Sequence, residues 1–331
     1  MKNDKFKDTL KKHFNKKGTY AFIVGNGINR AYTRKSKENK TDSTEGNSWI
    51  DLLGKLIEFT VPNESKKTLI DLVSNFSKRC SLLEIYDFIN SAELHEEKEF
   101  RDCLIGLIEE IYPVENIDDI TQFRNALIKA NYPILTTNYD KRFDTNLTCV
   151  SLPSQNIRMP YRYPWNYCYI NEVEIKKSDL ESFDPLTQFT VWHINGTVDK
   201  KYSIRLGIDD YAGLFARERK FYVGGNQHGK NQSFSTKNTW LDVFYKKPLC
   251  IVGLELGKDE VFLRHLLMKR YNWHKKENHK NTPKDIYICT SEDTGPVDFL
   301  KLLGFEIIST NDERNFKDMY DDIVNALYEI K

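Results

Sequence analysis

The amino-acid sequence predicts an α/β fold: a mostly parallel sheet with helices on both faces and an inserted helical subdomain. Short apolar runs of strand length alternate with segments of helical periodicity, which is typical of a parallel sheet covered on both sides. A long helical stretch separates the first apolar run from the second, and this stretch predicts the insert. Four of the runs end in polar clusters, and ligands bind outside the carboxyl ends of such strands.

Composition excludes several classes of protein. The chain has 331 residues, of which 40% are hydrophobic and 29% are charged, so it fits neither a disordered nor a membrane-spanning protein. The segment MKNDKFKDTLKKHFNKK lacks the apolar core of a secretory signal, and we expect a cytosolic protein without a membrane partner. The net charge of +1 gives no electrostatic footprint for direct nucleic-acid binding. The six cysteines lack C-x-x-C spacing, so we expect no metal site.

The first predicted element is a Lys-rich amphipathic helix over residues 4–16, with a solvated basic face. Residues 20–24 are predicted as a buried strand, and GNG at 25–27 as a tight turn at its end. The polar residues 30–46 are predicted as a mobile loop.

Helical periodicity begins at Ser48, with Asp51 three positions later as in a capping box. The same periodicity recurs at residues 67–76, 82–88, 100–111 and 121–130. We therefore predict a helical insert over residues 48–131, between two parts of one sheet domain at residues 1–47 and 132–331.

Further strands are predicted after the insert. They lie at residues 132–135, 188–192, 202–206, 249–252, 286–289 and 305–308. A helix is predicted over residues 260–270. The final helix carries one apolar stripe: Phe316, Met319, Tyr320, Ile323, Val324 and Leu327.

The polar clusters VGNGINR, TTNYD, HINGT and GLELGKD each close an apolar run, and we expect them to meet at one edge of the sheet. In the first cluster, Gly25 and Gly27 would let backbone amides and a helix start approach a phosphate. An ordinary turn is the alternative, because the third glycine of the dinucleotide fingerprint is missing. In the second, Asn138 can hold a water or a ribose hydroxyl and Asp140 can accept from an amide, with a helix cap as the alternative.

The third cluster contributes a histidine. His193 and Asn195 are two residues apart, so in an extended chain their side chains face the same side. With an unperturbed pKa near 6.5, His193 is a candidate general base, and a structural histidine with satisfied hydrogen bonds is the alternative.

Two other segments resemble ligand sites without completing one. GGNQHGKN at 224–231 nearly matches a P-loop, but Asn231 replaces the Ser or Thr that binds magnesium, so we predict a loop. In MPYRYPWNYCY at 159–169, basic and aromatic residues interleave in a way that suits stacked bases. Without a charge excess, we predict a packed loop that covers the pocket.

Taken in order, GNG, TTNYD, HINGT with SIRLGIDDY, and GLELGKDEVFLRHL resemble the sirtuin-like domains of bacterial antiphage defence proteins. Those domains have the Rossmann-like sirtuin fold and cleave NAD+ instead of deacylating proteins. The resemblance covers residues 20–24 and 132–331, and the insert matches only in its W-x-x-L-L opening at Trp49.

The resemblance implies roles for individual residues. Asn138 is expected to fix the attacking water and Asp140 to bind the nicotinamide carboxamide, while Gly253 and its following turn meet the adenosine half. The phosphate loop is expected at the GNG turn. The residues expected to bind NAD+ are Gly25, Asn26, Gly27, Thr137, Asn195, Gly196, Gly253 and Glu255.

Two positions depart from the family pattern. Glu255 stands where the family has serine, and an acid there suits ribose hydroxyls. Asn195 stands where the family histidine directly precedes the glycine, so either His193 acts as the base or the base is missing. We expect His193 to retain a catalytic role, because strand alternation would keep it facing the pocket.

The expected function is an NAD+ hydrolase that cleaves the nicotinamide–ribose bond and depletes NAD+ in antiphage defence. NAD+ is then a substrate, and no cofactor is expected. The resemblance also implies a homo-oligomer and a HerA-type ATPase or other defence-system partner. A nucleotide-binding sensor or scaffold without turnover is the alternative, and a zinc-free protein deacylase ranks below both because the four-cysteine zinc module is missing.

Overall fold

The fold was examined in a computed structural model. It describes residues 2–33, 49–60, 81–91, 97–114, 118–152, 165–171, 182–218, 222–223, 233–234, 238–257, 259–277, 283–290, 296–310 and 316–330. Within these residues every helix is too short or too polar to cross a membrane.

The main sheet has eight strands in the order β10-β9-β8-β1-β2-β5-β4-β3. The strands are β1 Ala21–Val24, β2 Ile134–Thr136, β3 Thr148–Ser151, β4 Tyr167–Ile170, β5 Val191–His193, β8 Leu249–Val252, β9 Ile286–Cys289 and β10 Glu306–Ser309. Neighbouring strands from β10 to β5 pair in parallel, and β4 pairs antiparallel with both β5 and β3. A separate antiparallel pair is formed by β6 Tyr222–Val223 and β7 Ser233–Phe234.

Helices cover both faces of this sheet and its carboxyl edge. They are α1 Lys2–His13, α2 Gly27–Thr33, α3 Trp49–Thr60, α4 Leu82–Ser91, α5 Glu97–Ile111, α6 Asp118–Ala130, α7 Ile208–Glu218, α8 Trp240–Lys246, α9 Val261–Glu277, α10 Val297–Leu302 and α11 Phe316–Tyr328. The predicted α/β class with a mostly parallel, Rossmann-like sheet is therefore confirmed.

Alternation along the strands divides the apolar side chains between two cores. Phe22 of β1 packs with the α1, α6 and α11 side, and its ring stacks on Tyr132 with centroids 5.8 Å apart. Ile23 of the same strand packs with the α7 to α10 side. Each fully buried side chain of this size contributes about 1.5–3 kcal/mol, so β1 is held from both faces.

A third core joins helices α3, α4 and α5 to the loops at the carboxyl edge of the sheet. Tyr139, Val198, Ile204 and Leu206 come from those loops and pack against the apolar faces of the three helices. This packing places α3, α4 and α5 over the strand ends. The domain boundaries at residues 47, 48, 131 and 132 stay predictions.

One predicted strand is wrong. Residues 202–206 do not form a strand, because a 3-10 helix, Val198–Ser203, occupies the start of this segment. Gly196 has φ +99°, a conformation that favours glycine, and it turns the chain back so that Arg205 N donates to Asn195 O over 2.9 Å. The turn replaces strand pairing.

The antiparallel edge was missed by the sequence prediction. Trp165 stacks on Trp240 in the core, with ring centroids 5.1 Å apart, and β4 follows it directly. The prediction of a loop covering the pocket is therefore wrong for residues 165–169, while 159–164 lie outside the described residues. Residues 30–33 are helical in α2, which corrects the predicted loop at its start.

The other predicted strands and helices that fall on described residues are present. Their ends differ by up to three residues, except that the helix predicted over 260–270 extends to Glu277. Further predictions lie outside the described residues: the loop at 34–46, the capping residue Ser48, the helix at 67–76 and the P-loop-like 224–231.

Candidate functional site

The order in which strands are added to the sheet reverses at β1. From β1 the chain proceeds through β2 to β5 on one side, and it later returns to build β8, β9 and β10 on the other side. At such a switch point the loops after the two central strands leave in opposite directions and open a crevice. A cavity of about 290 Å³ lies there, at the carboxyl ends of the parallel strands.

The predicted polar clusters all contribute to this cavity. Its lining includes Asn26, Gly27, Thr137, Asn138, Asp140, Asn195, Gly253 and Glu255. Helices α3 to α5 close it with an apolar wall that includes Trp49, Leu52, Leu83 and Ile108. The cavity therefore combines polar strand ends with an apolar cover, as ligand sites commonly do.

The turns after β1 and β8 touch backbone to backbone. Gly27 N donates to Gly253 O over 2.8 Å, and Gly25 N donates to Val252 O over 3.2 Å. A Cβ on Gly27 would lie 2.6 Å from the Gly253 Cα, and Gly253 itself has φ +66°. The glycines thus allow close approach, and the two amides assigned to phosphate binding are already engaged by the β8 strand.

The loop after β2 presents an amide and a carboxylate. Asn138 is buried, its backbone N donates to Thr136 Oγ1 over 3.1 Å, and its Nδ2 lies 3.4 Å from Gly25 O. Asp140 accepts from Asn29 Nδ2 over 2.9 Å and from Arg142 N over 3.0 Å. Both side chains are held in fixed positions in the cavity wall.

A chain of hydrogen bonds extends from Asp140 across the cavity wall. Asn29, fully buried, also donates to Asn26 Oδ1 over 3.0 Å, and Asn26 Nδ2 donates to the Tyr112 hydroxyl over 2.8 Å. Burial raises the pKa of Tyr112 to about 12, so the hydroxyl stays protonated. The sequence prediction missed Asn29 and Tyr112; the only signal for Asn29 was its place directly after the GNG turn.

His193 does not line the cavity, which corrects the expectation that it faces the pocket. Its ring is buried, with Nδ1 2.7 Å from Asn138 O and Nε2 2.9 Å from both carboxylate oxygens of Asp144. Burial opposes protonation, but the Asp144 charge and the hydrogen bonds raise the pKa of His193. Both ring nitrogens are engaged by Asn138 and Asp144 inside the core, so neither offers a free lone pair to the cavity for a general base.

Asn195, rather than His193, faces the cavity. His193 is the last residue of β5, and the backbone turns at once, with Gly196 N donating to His193 O over 3.2 Å. The two-residue alternation of an extended strand therefore does not continue to Asn195. Gly196 shapes this turn and lies outside the cavity lining, while Thr137 lines the cavity and donates its N–H to Val24 O over 3.1 Å.

The loop after β8 carries three acids along the cavity. Glu255 is the most exposed, and its Oε1 lies 3.4 Å from Arg30 Nη1. Asp259 Oδ1 accepts from Leu82 N at the start of α4 over 2.9 Å. Burial, together with the neighbouring Asp259, raises the pKa of Glu260 to about 7. Arg30 and Glu260 were not among the predicted site residues.

Within the described part of the chain, no group of three or more His, Cys, Asp or Glu side chains is arranged to hold a metal ion. A scan of protein-family models and a search of curated proteins both return no match to this chain.

Proposed function

We propose that this chain hydrolyses the bond between nicotinamide and ribose in NAD+, on a sirtuin-like fold with an inserted helical subdomain. The observation that supports it most is the convergence of four separate strand ends on one cavity at the switch point, with Asn138 and Asp140 fixed in its wall. The role proposed with this activity is NAD+ depletion in antiphage defence, within a homo-oligomer that has a HerA-type ATPase or similar partner.

The chemistry fits the groups present. Nicotinamide leaves as a neutral molecule when the C1′–N bond breaks, so the ribose carries positive charge in the transition state and no acid is needed. Asp140 has lone pairs left after its two hydrogen bonds, and these can accept from the carboxamide of the leaving group. Asn138 would hold the water whose oxygen bonds to C1′, and the released proton passes to solvent.

His193 acts in this proposal as a positioning residue. Its Nδ1–H holds the carbonyl of Asn138, and Asp144 fixes the other ring nitrogen. The ring thereby keeps the loop after β2 in place beside the end of β5. It is buried with both nitrogens engaged, so it supports the site without exchanging protons with the substrate.

Incubation of the full chain with NAD+, followed by chromatography of free nicotinamide, tests the proposal. We expect release by the wild type and loss of about 10²-fold or more in Asn138→Ala, with an unchanged unfolding midpoint. Asn325→Ala, at an exposed position on α11, is the matched control and should retain full turnover. Wild-type protein that binds NAD+ without releasing nicotinamide would contradict the proposal.

That contrary result would support a second candidate, a nucleotide-binding sensor or scaffold without turnover. One observation favours it: the position of the family histidine holds Asn195, and the neighbouring His193 has both nitrogens engaged. An acetylated peptide added to the same assay tests the remaining alternative, a protein deacylase.

A further inference from the structure

Arg30 and Glu255 face each other across the crevice between β1 and β8. Arg30 lies on α2, three residues after Gly27, and Glu255 lies two residues after Gly253. Their Nη1 and Oε1 atoms are 3.4 Å apart, and the side chains are 48% and 87% exposed. An ion pair with this exposure and this distance is weak. A ligand that binds either side chain more strongly can therefore replace the other side chain.

The described lining of the cavity contains a single positively charged side chain. Among the described residues of its lining, Arg30 is the only lysine, arginine or histidine, whereas Asp140, Glu255, Asp259 and Glu260 are all acids. A diphosphate carries negative charge and therefore requires a cation or free N–H donors at the turn. The N–H groups of Gly25 and Gly27 donate to the β8 backbone instead.

We propose that Arg30 binds the diphosphate of the dinucleotide, and that the ligand displaces Glu255 from it. The guanidinium offers paired N–H donors that match phosphate oxygens better than one long contact to a carboxylate. Glu255 is then a competing counter-ion that lowers affinity, not a ligand for ribose. The inference rests on the proposed function only for the identity of the ligand as a dinucleotide.

The two roles of Glu255 predict opposite signs for one substitution. As a ribose ligand, its replacement weakens binding, because hydrogen bonds to the hydroxyls are lost. As a counter-ion, its replacement frees Arg30 and removes a negative charge near the phosphates, so binding becomes tighter. The variant Glu255→Gln keeps the size and polarity of the side chain and isolates the charge.

Calorimetry on the full chain with ADP-ribose, and with adenosine as a probe without phosphate, measures these effects. We expect Arg30→Gln to weaken ADP-ribose binding about 10-fold and Glu255→Gln to tighten it about 3-fold, with adenosine changed less than about 2-fold in either. Arg30→Lys should recover part of the affinity. Lys12→Gln, which removes the same charge from an exposed position on α1, is the control and should have no effect.

The outcomes separate this inference from the proposed function. Equal ADP-ribose affinity in Arg30→Gln, or weaker binding in Glu255→Gln, overturns the role of Arg30 even if nicotinamide is released. Arg30-dependent binding in a protein that releases no nicotinamide supports the inference and overturns the hydrolase. A wild-type protein that binds neither probe overturns the role of Arg30, and the release of nicotinamide decides the hydrolase separately.

Discussion

The two sides of the cavity differ in how far their charged side chains are buried and paired. On the β2–β5 side, His193 and Asp144 are almost fully covered, with side chains 3% and 4% exposed, and their polar atoms are paired. On the β8 side, Glu255 is 87% exposed, and Glu260 is an acid whose pKa is raised by burial. The buried pair on the β2–β5 side is fixed in position and contributes to the stability of the fold. The acids on the β8 side can change their hydrogen-bond partners or their protonation when a ligand binds.

The largest effect is expected on the fixed side. His193→Ala leaves the Asp144 side chain buried without its partner, which should lower the free energy of unfolding by about 3–5 kcal/mol. Urea denaturation measures this. The double variant His193→Ala with Asp144→Ala should be no less stable than His193→Ala alone, because the buried carboxyl group is removed together with its partner. If His193→Ala instead keeps wild-type stability but loses turnover, His193 acts as a base, and the β2–β5 side is not a purely structural support.

A smaller effect is expected at the base of the β8 side. Gly253 has φ +66°, and a Cβ there would collide with the hydroxyl of Tyr320, so Gly253→Ala should cost about 3 kcal/mol through backbone strain and this steric clash. Thermal and urea unfolding measure the cost. Gly257→Ala in the same loop is the matched control, because a Cβ there meets nothing within 4 Å. Equal stability of the two variants would show that the turn at Gly253 can shift to accept a side chain.

The smallest effect concerns the pH dependence of the open side. The pKa of Glu260 is about 7 in the folded chain, against 4.5 as its ordinary value. The unfolded chain releases this proton first, so stability falls as pH rises from about 4.5 to about 7 and stays lower above that range. The full pKa difference corresponds to roughly 3 kcal/mol, and solvent screening of the partly exposed side chain reduces it. Glu260→Gln should therefore be about 2 kcal/mol more stable than wild type at pH 8 and equal to it at pH 4.

Urea unfolding across this pH range measures the difference. Glu58→Gln, at an exposed position on α3, should track the wild type within about 0.5 kcal/mol throughout. If Glu260→Gln also tracks the wild type, the carboxyl of Glu260 is exposed to solvent in the folded chain.

The sequence was most informative where one local rule is enough. Apolar runs such as residues 249–252 are strands because both faces of a central strand are buried, and the polar residues after each run lie together because parallel strands share an edge. The same rule failed at the edge of the sheet, where β3 is only partly buried and its residues, TCVS, carry no continuous apolar signal.

The chemistry of the site depends on contacts that no local pattern contains. His193 looked like a base because alternation was extended past the end of β5, and only its distances to Asp144 and Asn138 show that both nitrogens are engaged. The amides of the GNG turn looked available because their acceptors belong to β8, far away in the chain. Arg30 is identified as a site residue only by its contact with Glu255 in the same distant loop.

The contact of Gly27 with Gly253 also sets an order of events during synthesis. β1 is made early, yet its pairing from Ala21 with Leu249 to Val24 with Val252 requires a strand made much later. Chains fold from the N-terminus as they emerge, so β1 must wait with one edge unpaired until β8 arrives. An interrupted translation product that ends before β8 therefore lacks the Gly253 turn that forms one wall of the crevice.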